Sequence, residues 1–510
     1  MHTKGARKRG AGGVVVTAAI SRHGGKSIQQ QLYQRIRELI LSGELSSGAR
    51  MPSTRVLASE LDIARNTVAA AFEQLQCEGY LVSKIGSGTL VTDRLPEELL
   101  KTRMAPISNT SGQSEKLVIS ERATALMNQD GVKVSWLAAF SPGLPAVDEF
   151  PFAAWAKLLA KEWHQAGIGE MNSDAGGYWP LRNQIAEYVN SARGVKADAD
   201  QVIIVTGNRE GTLLAAQVLL NPSDYAIVEE PGYAGTKSAL SAVGVKLLPL
   251  PVDESGLKLG EMSPVHHRAR MLCVAPSHQY PLGFTTSLER RIEIVNWCKQ
   301  HNCWILEDDY DSEFRYQGRP LPALASLDPD ANIIYVGTFS KTLLPSLRIG
   351  YLIVPKKLVD VFVKTKLAMS GPTTVIAQRA ISAFFESGMF YRHVRMMRKI
   401  YAERRIALVD ALRRHIPRLL IPPQEETGLF LVTTFAHSDF GVLDVDISRE
   451  AKVIGLYVVP LSVHYLASPK TNGLIFGYGA LKPKEIESAV TRLAELFERL
   501  IELNVPKRQM

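Results

Sequence analysis

Six short apolar runs between residues 201 and 355 limit what this chain can fold into more than anything else in it. They read "QVIIVTG", "YAIVEEPGY", "ARMLCVAPSH", "CWILEDDY", "NIIYVGTFS" and "GYLIVP". They are rich in β-branched residues and often bounded by turn residues, which suits strands buried on both faces of a largely parallel sheet. Helical stretches such as 211–220 and 287–301 separate several of them. The expected architecture is a doubly wound α/β body whose ligand site lies at the carboxyl ends of the strands. At 510 residues, 46% of them hydrophobic and 22% charged, the chain has room for that body and at least one further domain.

Residues able to do chemistry gather at those strand ends. Asn208 and Arg209 open a helix after the first run, and the free amides of a helix N-terminus suit a phosphate. Tyr233 closes the second run, and Asp308 and Tyr310 close the fourth. Thr338, Ser340 and Lys341 follow the fifth, with Arg348 seven residues beyond the lysine. Singly, Asp308 reads as a helix cap, Lys341 as a surface lysine and Arg348 as an ion-pair partner. Together, in this order, they suit pyridoxal phosphate. Its aldehyde needs an amine for a Schiff base, which Lys341 offers. Its ring nitrogen needs a carboxylate, a role for Asp308. Its phosphate needs a cation and hydroxyl donors, which Arg348, Thr338 and Ser340 supply. Its ring needs an aromatic face, and Tyr233 stands at a strand end.

A second module precedes the body. Ile28, Leu32, Ile36, Leu39 and Ile40 share one helical face, and Gly43 stops that helix. Ser53 is the expected N-cap of a second helix carrying Val56, Leu57 and Leu61. A third helix turns Val68, Phe72 and Leu75 inward, and two short β runs, Tyr80 to Lys84 and Thr89 to Thr92, flank a glycine turn. Three helices and a hairpin make a winged helix-turn-helix. Arg65, Asn66 and Thr67 stand at the start of the third helix, where side chains reach base edges. Lys84 and the turn at Gly86 would form a wing tip open to a phosphate.

Charge supports the division. The chain carries +8, and residues 1–93 hold +5 of it, from 12 Lys and Arg against 7 Asp and Glu. A basic end on a near-neutral body suggests one module for a polyanion. Residues 1–26 read as a basic disordered tail, 27–93 as the winged helix-turn-helix, 94–133 as a linker rich in Pro, Ser, Asn and Gly, and 134–506 as the body. Within the linker, "LVISERATALMNQ" has the pattern of a short helix. The scattered Cys77, Cys273, Cys298 and Cys303 argue against zinc and suit a reducing cytoplasm. No uncharged apolar run is long enough to span a membrane.

The module closely resembles the DNA-binding domain of the GntR family, through "SGELSSGARMPSTRVLASELDIARNTVAAAFEQLQCEGYL" and "GSGTLV". The resemblance implies that Arg55, Arg65, Asn66, Thr67 and the wing near Gly86 contact double-stranded operator DNA. Ala64 departs from it, standing where the family usually has a capping Ser or Thr. From about residue 135 to 500 the chain resembles fold-type I aminotransferases, through "TGNREG", "EEPGY", "PSHQYPLG", "EDDYDSEF" and "GTFSKTLLPSLRIGY". The combination is similar to the MocR/GabR family of bacterial transcription regulators. That resemblance implies a large subdomain with a seven-stranded sheet, a smaller C-terminal subdomain and a head-to-tail homodimer. It makes Lys341 the Schiff-base lysine, Asp308 the partner of the ring nitrogen, Tyr310 a donor to the ring oxygen and Tyr233 the stacking ring. Arg348, Thr338, Ser340 and the amides near Asn208 and Arg209 would hold phosphate. His278, Gln279 and Tyr280 occupy the place of an Asn that faces the ring oxygen in aminotransferases.

One departure bears on function. Aminotransferases for amino acids usually carry an arginine near the C-terminus that clamps the substrate carboxylate. Here the segment reads "TNGLIFGYGAL", with Ile475 at that place. Lys237 and Arg182 are candidate substitutes. Two classes remain open: a regulator that senses pyridoxal phosphate or an amino compound, with little or no turnover, and an active aminotransferase with a DNA-binding appendage. The intact reader favours the regulator.

Overall fold

The computed structural model describes residues 25–84, 88–96, 119–127, 138–165, 167, 174–316, 318, 321–422, 427–436, 441–467 and 471–504. They fall into two compact units, Met1–Leu117 and Val118–Met510. Expectations placed on 1–24 and on Gly86 lie outside the described residues.

The first unit is a winged helix-turn-helix. Helix Ile28–Leu41 starts at Ser27, which forms a capping box with Gln30. It buries Leu32, Ile36, Leu39 and Ile40. Helix Thr54–Leu61 starts at Ser53, whose Oγ accepts from the Val56 amide at 3.3 Å. Val56 itself is exposed, because the inward face of this short helix is made by Leu57 and Ala58. Helix Arg65–Cys77 turns Val68, Ala71, Phe72 and Leu75 inward. Strands β1 (Leu81–Lys84) and β2 (Gly88–Val91) pair antiparallel, Lys84 opposite Gly88. Leu81 and Val91 close the same core from the sheet side.

The second unit centres on a sheet of β3 (Val202–Val205), β4 (Tyr225–Glu230), β5 (Lys246–Asp253), β6 (Gly256–Leu257), β7 (Ala269–Val274), β8 (Trp304–Asp309), β9 (Ile333–Thr338) and β10 (Gly350–Ile353). Their order is β3-β10-β9-β8-β7-β4-β5-β6. The run from β9 to β5 is parallel, while β10 is antiparallel to both β9 and β3. Eight strands stand where the resemblance implied seven, because the two-residue β6 folds back on β5. Side chains alternate between two apolar layers: Ile203, Leu306 and Val336 face one, Ile204, Ile305 and Tyr335 the other. This double burial is why the strands read as unbroken apolar runs.

Near the C-terminus a second sheet takes the order β11 (Leu419–Leu420), β12 (Phe430–Phe435), β14 (Gly473–Gly477), β13 (Val459–Pro460), all antiparallel. Helices Met389–His415 and Pro483–Asn504 supply much of the core beside it. Helix Glu121–Met127 packs on helix Ala234–Ala242, so it belongs with the body although it falls inside the segment 94–133 expected to connect the domains.

Candidate functional site

The carboxyl ends of β3, β4, β7, β8 and β9 lie along one edge of the large sheet, and the candidate residues meet there. Lys341 follows β9, and its Nζ donates to the Gly143 carbonyl at 3.0 Å. Gly143 has a φ of +73°, and a Cβ on it would lie 2.3 Å from that Nζ. A glycine is therefore required beside the lysine. Burial lowers the Lys341 pKa, against the opposing pull of Asp311 and Asp308, so the amine is easier to deprotonate than a surface lysine.

Strand β8 supplies two carboxylates that face opposite ways. Asp309 accepts from Arg193 Nε at 2.6 Å, within a buried pair. Asp308 turns to the lysine side. Burial, with Asp309 and Asp311 adding to it, pushes the Asp308 carboxyl up to about 7, against Asn208 and Lys341. Asn208 is close enough to pull on Asp308, yet neither its Nδ2 nor its Oδ1 meets hydrogen-bond geometry with any protein atom.

Asn208 opens helix Asn208–Leu219 after Gly207, which has a φ of +139° and gives no side-chain cap. The first-turn amides of a helix have no partner within the helix. Arg209 is exposed beside them. Thr338 Oγ1 and Ser340 Oγ lie 3.1 Å apart, and the Ser340 amide donates to Thr338 Oγ1 at 3.2 Å. Arg348 is exposed at a left-handed φ of +53°, a strained setting for a side chain of its size.

An aromatic wall stands on the other side. Tyr233 precedes helix Ala234–Ala242, and its ring meets Tyr280 edge-on at 5.8 Å. The Tyr310 hydroxyl donates to the His278 carbonyl at 2.8 Å. His278 Nδ1 bonds Asp311 Oδ2 at 2.9 Å, and its ring stacks on Phe430 at 4.7 Å. Asp311 and His278 were not singled out as a pair in the sequence, although "EDDYD" and "PSHQ" both end strands and so carry the signal.

Neither expected substitute for the carboxylate clamp is free. Lys237 Nζ bonds Glu230 Oε2 at 3.1 Å and the His464 carbonyl at 2.6 Å. Arg182 bonds Asp174 and the carbonyls of Ala199 and Asp200. Ile475 is fully buried among Phe430, Val432, Tyr457, Val459 and Leu461, with Tyr280 and Tyr310 against the same cluster.

In the reader, Arg55, Arg65, Asn66 and Lys84 are exposed and Thr67 is half-buried at the start of its helix. Arg65 Nε lies 3.4 Å from Thr54 Oγ1, which links the two helices of the motif. Ala64 occupies the N-cap with no side-chain bond. Among the described residues there is no cluster able to hold a metal and no helix long and apolar enough to cross a membrane. All four cysteines are free thiols.

Comparison with known proteins adds names to these parts. The model for aminotransferase class I and II matches residues 146–493, and that for bacterial regulatory proteins of the gntR family matches residues 28–91. The chain is 36% identical to a probable rhizopine catabolism regulatory protein, MocR, of Rhizobium meliloti, over 92% of this chain and 94% of that protein. It is 32% identical to the pyridoxine biosynthesis transcriptional regulator PdxR of Corynebacterium glutamicum, over 91% and 96%. Among solved structures it resembles the α-aminoadipate aminotransferase LysN of Thermus thermophilus, with a TM-score of 0.66 and 25% identity, covering 75% of this chain and 96% of that one.

Proposed function

Since the chain belongs to the MocR-type family of transcription regulators, in which a GntR-type reader precedes an aminotransferase class I and II domain, we propose that its body senses pyridoxal phosphate, an amino compound, or both, and adjusts how the reader holds operator DNA.

The residues at the strand ends fit the cofactor. A buried Asn208 amide without a partner, uncapped helix amides and a glycine cradle under Lys341 are the features such a group would complete. Bound there, the cofactor would supply an aldehyde able to exchange one amine for another. Lys341 would hold it through Nζ. Asp308 keeps a proton near neutrality on a half-buried carboxyl, placed to share it with a basic ring nitrogen. Arg348, Thr338, Ser340 and the amides at Asn208 and Arg209 would orient the phosphate. Tyr233 would cover the ring, Tyr310 would donate to the ring oxygen, and Tyr280 would exclude water from its edge. Arg55, Arg65, Asn66, Thr67 and Lys84 would meet the operator. The family's head-to-tail homodimer and a place in the cytoplasm complete the reading.

The observation that carries the regulator over the enzyme is the apolar burial of Ile475 together with the engagement of Lys237 and Arg182. Among the described residues, Ile475 offers an α-carboxylate no cation, and Lys237 and Arg182 are already paired. The test is spectroscopic. Purified protein with pyridoxal phosphate should show an absorbance band that borohydride removes, and Lys341→Ala should lack it. A reducible band in Lys341→Ala would refute the assignment. Rapid release of keto acid from common α-amino acids would favour the enzyme.

A further inference from the structure

Besides Asn208, the buried imidazole of His464 stands out at the aromatic wall, because both of its ring nitrogens lack a partner. It is 3% exposed, and neither Nδ1 nor Nε2 meets hydrogen-bond geometry with a protein atom, although the Gly232 backbone is close enough to pull on the ring. A buried polar group left in this state costs about 1–3 kcal/mol, so it needs an explanation.

Its position is fixed from two sides. The Asp444 carboxylate accepts from Ser462 Oγ at 2.6 Å, the Ser462 amide at 2.9 Å and the Gly473 amide at 3.2 Å, which anchors the turn Ser462–His464. The His464 carbonyl accepts from Lys237 Nζ at 2.6 Å and from the Gly232 amide at 3.1 Å. Glu230, the last residue of β4, also accepts from the Leu466 and Ala467 amides. The turn is thus tied to the segment that presents Tyr233. The ring meets Tyr280 edge-on at 5.1 Å, and Tyr280 in turn meets Tyr233. The imidazole therefore belongs to the same wall as two residues of the cofactor site.

We propose that His464 is the polar contact for the amino compound this site senses, and that this compound carries a neutral hydroxyl or amide group rather than a carboxylate. The proposal rests on the reading of the body as a sensor. Burial, with Lys237 adding to it and the Gly232 backbone opposing, pushes the imidazole down to about 3, so the ring is neutral and offers one donor and one acceptor. A hydroxyl or an amide matches both. A carboxylate has no donor for the imidazole N–H's neighbour nitrogen, and the nearby ammonium of Lys237 is already committed to Glu230.

Four amines in two matched pairs test this on the full-length holo-protein: 3-amino-1-propanol against n-butylamine, and β-alaninamide against β-alanine. Affinity is read from the change in cofactor absorbance. The expected result is a preference of about fivefold or more for the hydroxyl and amide members. His464→Phe should erase the preference and His464→Gln, which keeps a donor and an acceptor, should restore part of it, with melting curves confirming that each variant folds. No preference in the wild type, or a preference kept by His464→Phe, would overturn the assignment and mean that the imidazole binds a structural water only. A wild type with no reducible cofactor band would sink the sensor reading itself, and this proposal with it.

Discussion

The reader and the body solve opposite problems with their charged residues. In the reader no polar or charged side chain is buried among the described residues, and Arg55, Arg65, Asn66 and Lys84 face solvent over a core made of apolar side chains. In the body, Glu229, Glu307, Asp309 and Lys237 are buried, and Asp308, Glu229, Glu307 and Glu313 are all pushed up to about 7 or 8, by desolvation first. A surface for a polyanion needs charge left in water, where a nucleic acid can exchange it for counterions. A site for a small cofactor needs groups withdrawn from water, where each contact acts in a low dielectric. The two halves should therefore respond differently to mutation, salt and pH.

The largest expected effect is in the body. Asp308→Ala should weaken cofactor binding about 100-fold, since it leaves a protonated ring nitrogen without its counter-charge. Fluorescence or absorbance titration measures it, and a loss of only twofold would show that Asp308 does not face the nitrogen.

In the reader, Arg65→Ala should cost about 1–3 kcal/mol at the specific operator and much less on random DNA. Equal losses on both would make Arg65 a backbone contact. Lys84→Ala should weaken both alike and lower the slope of log affinity against log salt by about one. An unchanged slope would remove Lys84 from the phosphate contacts.

Protons sharpen the contrast. The raised carboxyls of the body bind more protons folded than unfolded, so their contribution is present at low pH and lost as pH rises through about 7 to 8. The melting temperature of the apo-protein's body should fall between about pH 6 and about pH 8.5, and Asp308→Asn should flatten part of that fall. A body whose stability rises over this window would contradict the burial of protonated carboxyls.

The smallest effect is at Ala64. Ala64→Ser supplies the missing cap and should stabilise helix Arg65–Cys77 by about 1 kcal/mol, seen as slower hydrogen exchange in its first turns. No change would show that the helix start is already satisfied another way.

What the sequence revealed follows the same division. The reader was legible nearly to the residue, because its cap at Ser53, the missing cap at Ala64 and its inward set Leu32, Ile36, Val68, Phe72 and Leu75 are local patterns. Of Val56, Leu57 and Leu61, expected on the second helix, only Leu57 is buried, since a helix of eight residues has too few turns for periodicity to fix its inward face. In the body the strands buried on both faces were legible as apolar runs. Strand β5 was not, because Pro249 and Pro251 break its pattern, and it tolerates them beside the two-residue β6 near the sheet's edge. The C-terminal sheet escaped notice because two of its strands have only two residues.

The candidate site was legible where a residue stands at the end of its own strand, as Asp308 and Lys341 do. It was not legible where partners come from distant parts of the chain. Arg193 with Asp309, Lys237 with Glu230 and the His464 carbonyl, and the orphan imidazole of His464 are properties of the fold alone. That is also why Lys237 and Arg182 looked like spare cations in the sequence and are committed in the structure.

The central claim is that the inward-facing site sets how the outward-facing one binds. Such coupling is reciprocal, so operator DNA must alter cofactor or effector affinity by the same factor. The direct measurement is operator affinity for three full-length forms at one salt concentration: holo-protein, apo-protein and Lys341→Ala, each with and without an added amine. The account predicts that apo-protein and Lys341→Ala resemble each other and differ from holo-protein by about fivefold or more, or give a different footprint. Identical affinities and identical footprints in all three, whatever amine is present, would contradict it.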